Sequence, residues 1–337
     1  MGLETDPVRW RDGIYIDGTS IWCDARRSRD MCFVSAADQM ARARHGQLIS
    51  THETALMMDG GSDGQSTSLG TPYGRPFTLG TTRMELFRSG YGLGAASIRV
   101  DVFGKKLIYA GRIQTNGMTL GGQTEFRKGD VLTLSARYAH MVLPDPKQTL
   151  DRLFTFCRNV NGKGGTAILI VRSFLQGLDL LSLLSEQNEF DLRAHFSLID
   201  RVKRVSSVKT LPLPKPVSKD EAAPHVLIWP MRRRGKLDAI QFPKESKFAL
   251  VSGMANEEIE CTRLRVDEGF PWPDEADGPA LKAYMESTGA KEIYWTDANE
   301  RILDHLKDFP MVSRIGPPIQ MNLFSQGPSR RQTDRIA

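Results

Sequence analysis

The densest run of chemistry-bearing side chains in this sequence is basic. Met231-Arg232-Arg233-Arg234-Gly235-Lys236 sets four cations side by side, and Arg201, Lys203 and Arg204 stand upstream of them. Guanidinium groups grip phosphate oxygens bidentately, so such a cluster fits a nucleic-acid backbone and would bind it in a salt-dependent way without sequence preference. A solvated charged loop is the equal alternative. Arg26, Arg27 and Arg29, with Arg42 and Arg44 after them, would lengthen the same surface if the fold brings them together.

Metal and thiol chemistry have less to stand on. The six histidines, His45, His52, His140, His195, His225 and His305, have no paired spacing. Cys23, Cys32, Cys157 and Cys261 lack CxxC spacing and read as buried free thiols, neither zinc ribbon nor disulfide framework. Gly162, Gly164 and Gly165 read as a turn, because neither GxxxxGK[ST] nor GxGxxG is present.

The elements that must position these side chains follow from periodicity. At 337 residues, 40% apolar and 25% charged, the chain reads as a globular protein with room for two lobes. The formal charge of +5 permits a nucleic-acid partner without requiring one. No apolar run approaches the roughly 18–20 residues of a membrane span, and the polar start MGLETDPVRWRDG has no signal-peptide core. A cytoplasmic protein with no membrane partner is the expectation. Short strands are expected at 13–17, 20–24, 31–35, 47–50, 76–80, 83–88, 97–103, 106–110 and 131–134, separated by Gly-rich turns. Residues 39–44 have helical composition, and a helix is expected to begin at Thr54. From Lys147 the period turns helical, then a buried-type strand (167–171) precedes an amphipathic helix (174–184). Proline-rich residues 205–224 read as an extended connection, and a further strand (225–229) leads into the basic run. A strand at 248–252, helices at 279–287 and 300–307 and a strand at 292–295 complete a mixed α/β chain.

The order of these pieces resembles the metallo-β-lactamase-fold nucleases that carry an inserted β-CASP lobe, a group that includes mRNA 3′-end processing nucleases and bacterial DNA-ligase-associated exonucleases. The family's FVSHAHxDH strand end, its short helix and its HG correspond to Phe33–Gly46 (FVSAADQMARARHG). GHxLGSA corresponds to Gly90–Ala96 (GYGLGAA), YTGD to Tyr109–Arg112 (YAGR) and GGTxLIPxFALGRxQE to Gly164–Asp179 (GGTAILIVRSFLQGLD). FxLSDHAD corresponds to Phe270–Asp277 (FPWPDEAD), and the strand ending in HG to Tyr294–Ala298 (YWTDA). The resemblance covers nearly the whole chain. It implies an αββα sandwich with a first part at 1–148, an inserted β-CASP-like lobe at 149–248, a return at 249–312 and a flexible tail at 313–337.

In the family those histidines hold two zinc ions, so that a shared water ionises near neutral pH and attacks phosphorus. Here the corresponding positions are Ala36, Asp38, Met40, Ala41, Tyr91, Arg112, Glu275 and Asp297, with Ser135 where an acidic residue is usual. The resemblance therefore implies a degenerate metal site that takes no zinc and has no catalytic residue. Arg112 at the bridging-aspartate position would pair with Asp38, Glu275 or Asp297 in a buried ionic cluster, or grip a phosphate. The rival is an active phosphodiesterase in which Asp38, Glu275 and Asp297 hold Mg²⁺ or Mn²⁺. The implied function is an inactive nuclease-like accessory in DNA repair or RNA processing. It would bind DNA or RNA through Arg112 and the basic run, with an active nuclease paralogue, a DNA ligase or a helicase as partner. A pure protein-interaction scaffold is the third reading.

In the tail, Gln320-Met321-Asn322-Leu323-Phe324 resembles the peptide by which bacterial repair proteins dock on the sliding clamp. Gln320, Leu323 and Phe324 would fill the clamp's pocket, or else pack on the body of the protein.

Overall fold

Alternating apolar residues build two sheets from the first part of the chain. A computed structural model describes residues 6–39, 43–58, 67–218, 224–298, 300–306 and 312–317. The first sheet runs in chain order through β1 (Val8–Trp10), β2 (Ile14–Ile16), β3 (Trp22–Cys23), β4 (Met31–Phe33), β5 (Gln47–Ser50) and β6 (Thr67–Gly70). Its first three strands are antiparallel and the rest parallel. Helix α1 (His52–Met57) follows β5. The second sheet begins with the antiparallel β7 (Phe77–Leu79), β8 (Thr82–Arg88), β9 (Ala96–Val102) and β10 (Lys105–Gly111), and β11 (Val131–Ser135) joins β10 in parallel.

Strand period sorts the core. Leu107 and Tyr109 of β10 face the first sheet and pack with Ile14, Ile16, Phe33 and Ile49. Ile108 and Ala110, on the opposite face, meet the helices that return late in the chain.

Helix α2 (Pro146–Gly162) opens the inserted part. Asp145 caps it by accepting from the amides of Lys147 and Gln148, and Pro146 supplies the preset φ of a first helical residue. Then come β12 (Ala167–Val171), α3 (Phe174–Ser185), β13 (Leu192–Ala194), α4 (Phe196–Val205), β14 (Lys215–Pro216) and β15 (Val226–Pro230). A 3-10 helix (Met231–Ala239) carries the basic run and is followed by β16 (Lys247–Val251), a second 3-10 turn (Gly253–Asn256), α5 (Glu258–Leu264) and β17 (Glu268–Phe270). These six strands form an all-parallel sheet in the order β14-β13-β15-β12-β16-β17. Helices cover both faces, as a parallel sheet requires. Ala167, Leu169 and Val171 meet α2, α3 and α4, and Ile168 and Ile170 meet the basic 3-10 helix. Finally α6 (Gly278–Thr288), β18 (Glu292–Thr296), α7 (Glu300–Leu306) and β19 (Val312–Arg314) complete the second sheet, β18 lying beside β11 and β19 beside β18.

The mixed α/β class agrees with the sequence reading, and three details differ. The expected boundary at 248/249 falls inside β16, which pairs along its length with β12, and β17 extends that same sheet to Phe270. The expected flexible tail at 313–337 starts too early: Arg314 lies in β19, and the buried Ile315 donates its amide to Trp295. Where helical composition is expected at 39–44, Gln39 and Ala43 are in bends, and Met40, Ala41 and Arg42 lie outside the described residues. No helix among the described residues is long and apolar enough to cross a membrane.

Candidate functional site

Parallel strands of all three sheets release charged side chains at their C-terminal ends, where α/β folds place ligands. Asp38 follows β4, Arg112 follows β10, Arg137 follows β11, Arg172 follows β12 and Asp297 follows β18. Tyr91 arrives on the loop between β8 and β9, and Asp274 and Glu275 on the segment leaving β17. Each is held by local structure. Thr51 caps α1 by accepting from the Thr54 amide, and the Thr51 and Thr54 hydroxyls donate to the Gly94 carbonyl at 2.6 and 2.8 Å, pinning the Tyr91 loop. Ser173 caps α3, while Gln176 accepts from the Arg172 amide (2.8 Å) and donates to the Val251 carbonyl (2.7 Å), which fixes Arg172.

The side chains form a continuous ion-pair lattice. Tyr91 donates its hydroxyl to Asp38 at 2.6 Å, and Arg112 Nη1 lies 3.3 Å from the same Asp38 oxygen and 3.2 Å from the tyrosine oxygen. Arg112 Nε forms an ion pair with Glu275 at 3.5 Å, and Glu275 accepts hydrogen bonds from Arg137 Nε (3.1 Å), Arg172 Nη2 and the Ser135 hydroxyl (3.0 Å). Arg172 Nε reaches Asp274 at 2.5 Å, and Asp274 accepts in addition from the Tyr138 hydroxyl and the Gly253 amide. Arg137 Nη2 closes the lattice on Asp297 at 3.5 Å.

Burial sets the stakes. The side chains of Asp38, Asp274 and Glu275 are 5, 3 and 4% exposed, against 35% for Asp297. Burial alone would raise the pKa of Glu275, but the guanidiniums of Arg172, Arg137 and Arg112, helped by Ser135, hold it down at about 2. The carboxylate stays ionised at any ordinary pH. Beside the lattice, Asp24 accepts from the Ser35 amide (2.9 Å), the Ser35 hydroxyl (2.6 Å) and Tyr109 (2.7 Å), with burial raising its pKa. A cavity of about 160 Å³ opens between Trp10, Asp24, Arg112, Ser135, Asp297 and Arg314.

Cations are interleaved with the carboxylates of the site. A guanidinium stands between Asp38 and Glu275 and another between Glu275 and Asp297, where Mg²⁺ would need converging oxygens. Among the described residues no group of three or more His, Cys, Asp or Glu side chains is arranged to hold a metal.

No protein-family model matches the chain. A probable DNA ligase of Opitutus terrae is 22% identical over 293 residues. The aligned part is 85% of this chain but 28% of the relative, so the chain spans less than a third of that protein's length.

The sequence-derived positions fare unevenly. Asp38, Tyr91, Arg112, Glu275 and Asp297 join one lattice, and the buried Ala36 packs in the same apolar cluster as Tyr91. Met40 and Ala41 lie outside the described residues, as do Gln320, Leu323 and Phe324. Arg112 pairs with Asp38 and Glu275; Asp297 pairs instead with Arg137. Sequence reasoning missed Arg137, Arg172 and Asp274. The signal for Arg172 was there, an arginine placed directly after the five-residue apolar run 167–171.

The basic residues divide into two groups. Arg201 and Arg204 are both engaged with Asp200, at 3.0 and 2.7 Å, and Arg201 lies over the Phe174 ring. Lys203 is exposed on the same helix, α4. The run Arg232–Lys236 sits on the 3-10 helix across the parallel sheet from the face that α4 covers. Arg26, Arg27 and Arg29 are spent locally, over Trp10, on Asp12 and over Trp22. Cys23, Cys32 and Cys157 are buried free thiols; burial pushes Cys32 and Cys157 up to about 12, which leaves them un-nucleophilic.

Proposed function

We propose that this chain is a relative of the metallo-β-lactamase-fold, β-CASP nucleases in which an ion-pair lattice occupies the place of the metal centre, and that it serves DNA metabolism as a non-cleaving, nucleic-acid-binding accessory. The observation that carries the reading is the Arg112 guanidinium, set between Asp38 and Glu275 at the strand ends where the resemblance calls for a bridging carboxylate. A fixed cation there repels the ions that hydrolytic nucleases use to activate water. Two facing sheets with helices outside one of them support the fold reading. Similarity to a probable DNA ligase supports DNA over RNA, and suits a partner that joins or processes DNA ends. Docking of Gln320, Leu323 and Phe324 on a sliding clamp belongs to the same proposal.

The test combines elemental analysis with binding and cleavage of labelled DNA and RNA in Mg²⁺, Mn²⁺ and Zn²⁺. Expected are no stoichiometric zinc, no divalent-dependent cleavage, and DNA binding that weakens with salt. About two zinc ions per chain, or cleavage that Asp297→Ala abolishes, would overturn the reading.

A further inference from the structure

Phe196, the first residue of α4, is 64% exposed. A single exposed ring is ordinary on a protein surface. Its surroundings are not. His195 caps α4 by accepting from the Ser197 amide, and its ring packs against Phe196 at 4.2 Å and edge-on against Trp229 at 4.6 Å. Trp229 Nε1 in turn donates to the Arg233 carbonyl at 2.9 Å, which clamps the basic 3-10 helix beside His195. Burial, and after it the charges of Arg233 and Lys236, hold the His195 pKa down at about 4, so the ring is neutral at pH 7 and adds no charge of its own. The aromatic and the cations therefore converge on one histidine, although they come from helices on opposite faces of the sheet.

The cations differ in availability. Arg234 is engaged with Asp238 at 3.4 Å and lies over the Phe248 ring at 4.4 Å. Arg232, Arg233 and Lys236 are exposed, and among the described residues none has a carboxylate partner. Cations with no internal counter-charge beside an unshielded aromatic face are the two components of single-strand binding, phosphate attraction and base stacking. A duplex keeps its base faces stacked on one another and can use only the first.

We propose that Phe196 with Arg232, Arg233 and Lys236 forms a platform for single-stranded nucleic acid, an unpaired base stacking on Phe196 while flanking phosphates lie against the three cations. The proposal rests on the nucleic-acid reading above and narrows it to strand class and place. Helix α4 gives the platform a direction. Arg201 to Arg204 lie roughly 8–12 Å further along its axis at about 1.5 Å per residue, and Arg204 reaches the Met58 carbonyl next to α1. A strand leaving the platform along α4 would run toward the side of the molecule that carries Asp38 and Tyr91.

The full-length protein should be titrated into a labelled oligothymidylate and, separately, into a labelled hairpin duplex, with binding followed by anisotropy across a salt series. Phe196→Ala should weaken oligothymidylate binding about 5- to 150-fold, leave the salt slope and duplex affinity unchanged, and be rescued by Phe196→Trp. The triple change Arg232→Gln, Arg233→Gln, Lys236→Gln should weaken both ligands and flatten the single-strand log–log slope by about two. Wild-type binding that is intact and indifferent to Phe196→Ala, in a variant with native circular dichroism, overturns the platform while sparing the nucleic-acid reading. Failure of the wild type to bind either ligand overturns both.

Discussion

At the scale of single residues, Glu275 decides most. Its carboxylate is shared by three arginines and a serine, so Glu275→Gln leaves buried guanidiniums short of charge and should cost about 3–5 kcal/mol. Asp297→Asn, at the 35% exposed end of the lattice, should cost about 1 kcal/mol or less. Urea unfolding of both variants measures the contrast, and equal costs would mean that the lattice is not what the fold leans on. The same carboxyl predicts a pH dependence. Its folded pKa of about 2 lies below the ordinary 4.5, so its contribution is complete above pH 4.5 and disappears as pH falls toward 2. Wild type should lose stability across that window more steeply than Glu275→Gln.

At the scale of elements, the loop that delivers Tyr91 depends on a close approach to α1. Gly94 has φ +73°, and a Cβ there would sit 2.8 Å from the Thr54 amide nitrogen. Gly74 also has positive φ (+69°), yet its added Cβ would meet nothing within 4 Å. Gly74→Ala should therefore show the conformational cost alone, about 1 kcal/mol, and Gly94→Ala clearly more, read as a larger fall in Tm. Elements of this kind were legible to different degrees. Residues 167–171 were readable as a strand because both faces are buried and the run is wholly apolar. Leu192–Ala194 was not, since three residues with an arginine in the middle have no period, and the strand is made by its pairing with β15 and β14. The 248/249 boundary failed for a related reason: Lys247–Val251 looks like any buried strand, and which sheet it joins is a matter of pairing that the sequence does not print. For the site, the resemblance of short motifs to those of the nuclease family gave the positions of Asp38, Arg112 and Glu275. Of their partners, Arg172 had a signal in its place after the apolar run 167–171, while Arg137 and Asp274 emerge only when the sheets converge.

At the scale of the whole molecule, one apolar cluster joins the parts that sequence reading separates. Ala36, Ala37, Met57, Tyr91 and Leu93 from the first part pack in the same buried cluster as Leu175, Leu178 and the core of the parallel sheet. Calorimetry should accordingly give a single transition with equal calorimetric and van't Hoff enthalpies; two resolved transitions would show that the parts unfold separately. The lattice also has a consequence for descent. Because Asp38, Arg112, Glu275, Arg137, Arg172 and Asp274 are chained by contacts, replacing any one strands a buried charge on its neighbour, and effects at touching sites do not add. Single substitutions at the buried members of the lattice are expected to destabilise the fold, a trend that urea unfolding of each variant checks. Exchanging the lattice for a metal-binding set would need several coordinated substitutions at once, a step that selection acting one residue at a time does not readily take.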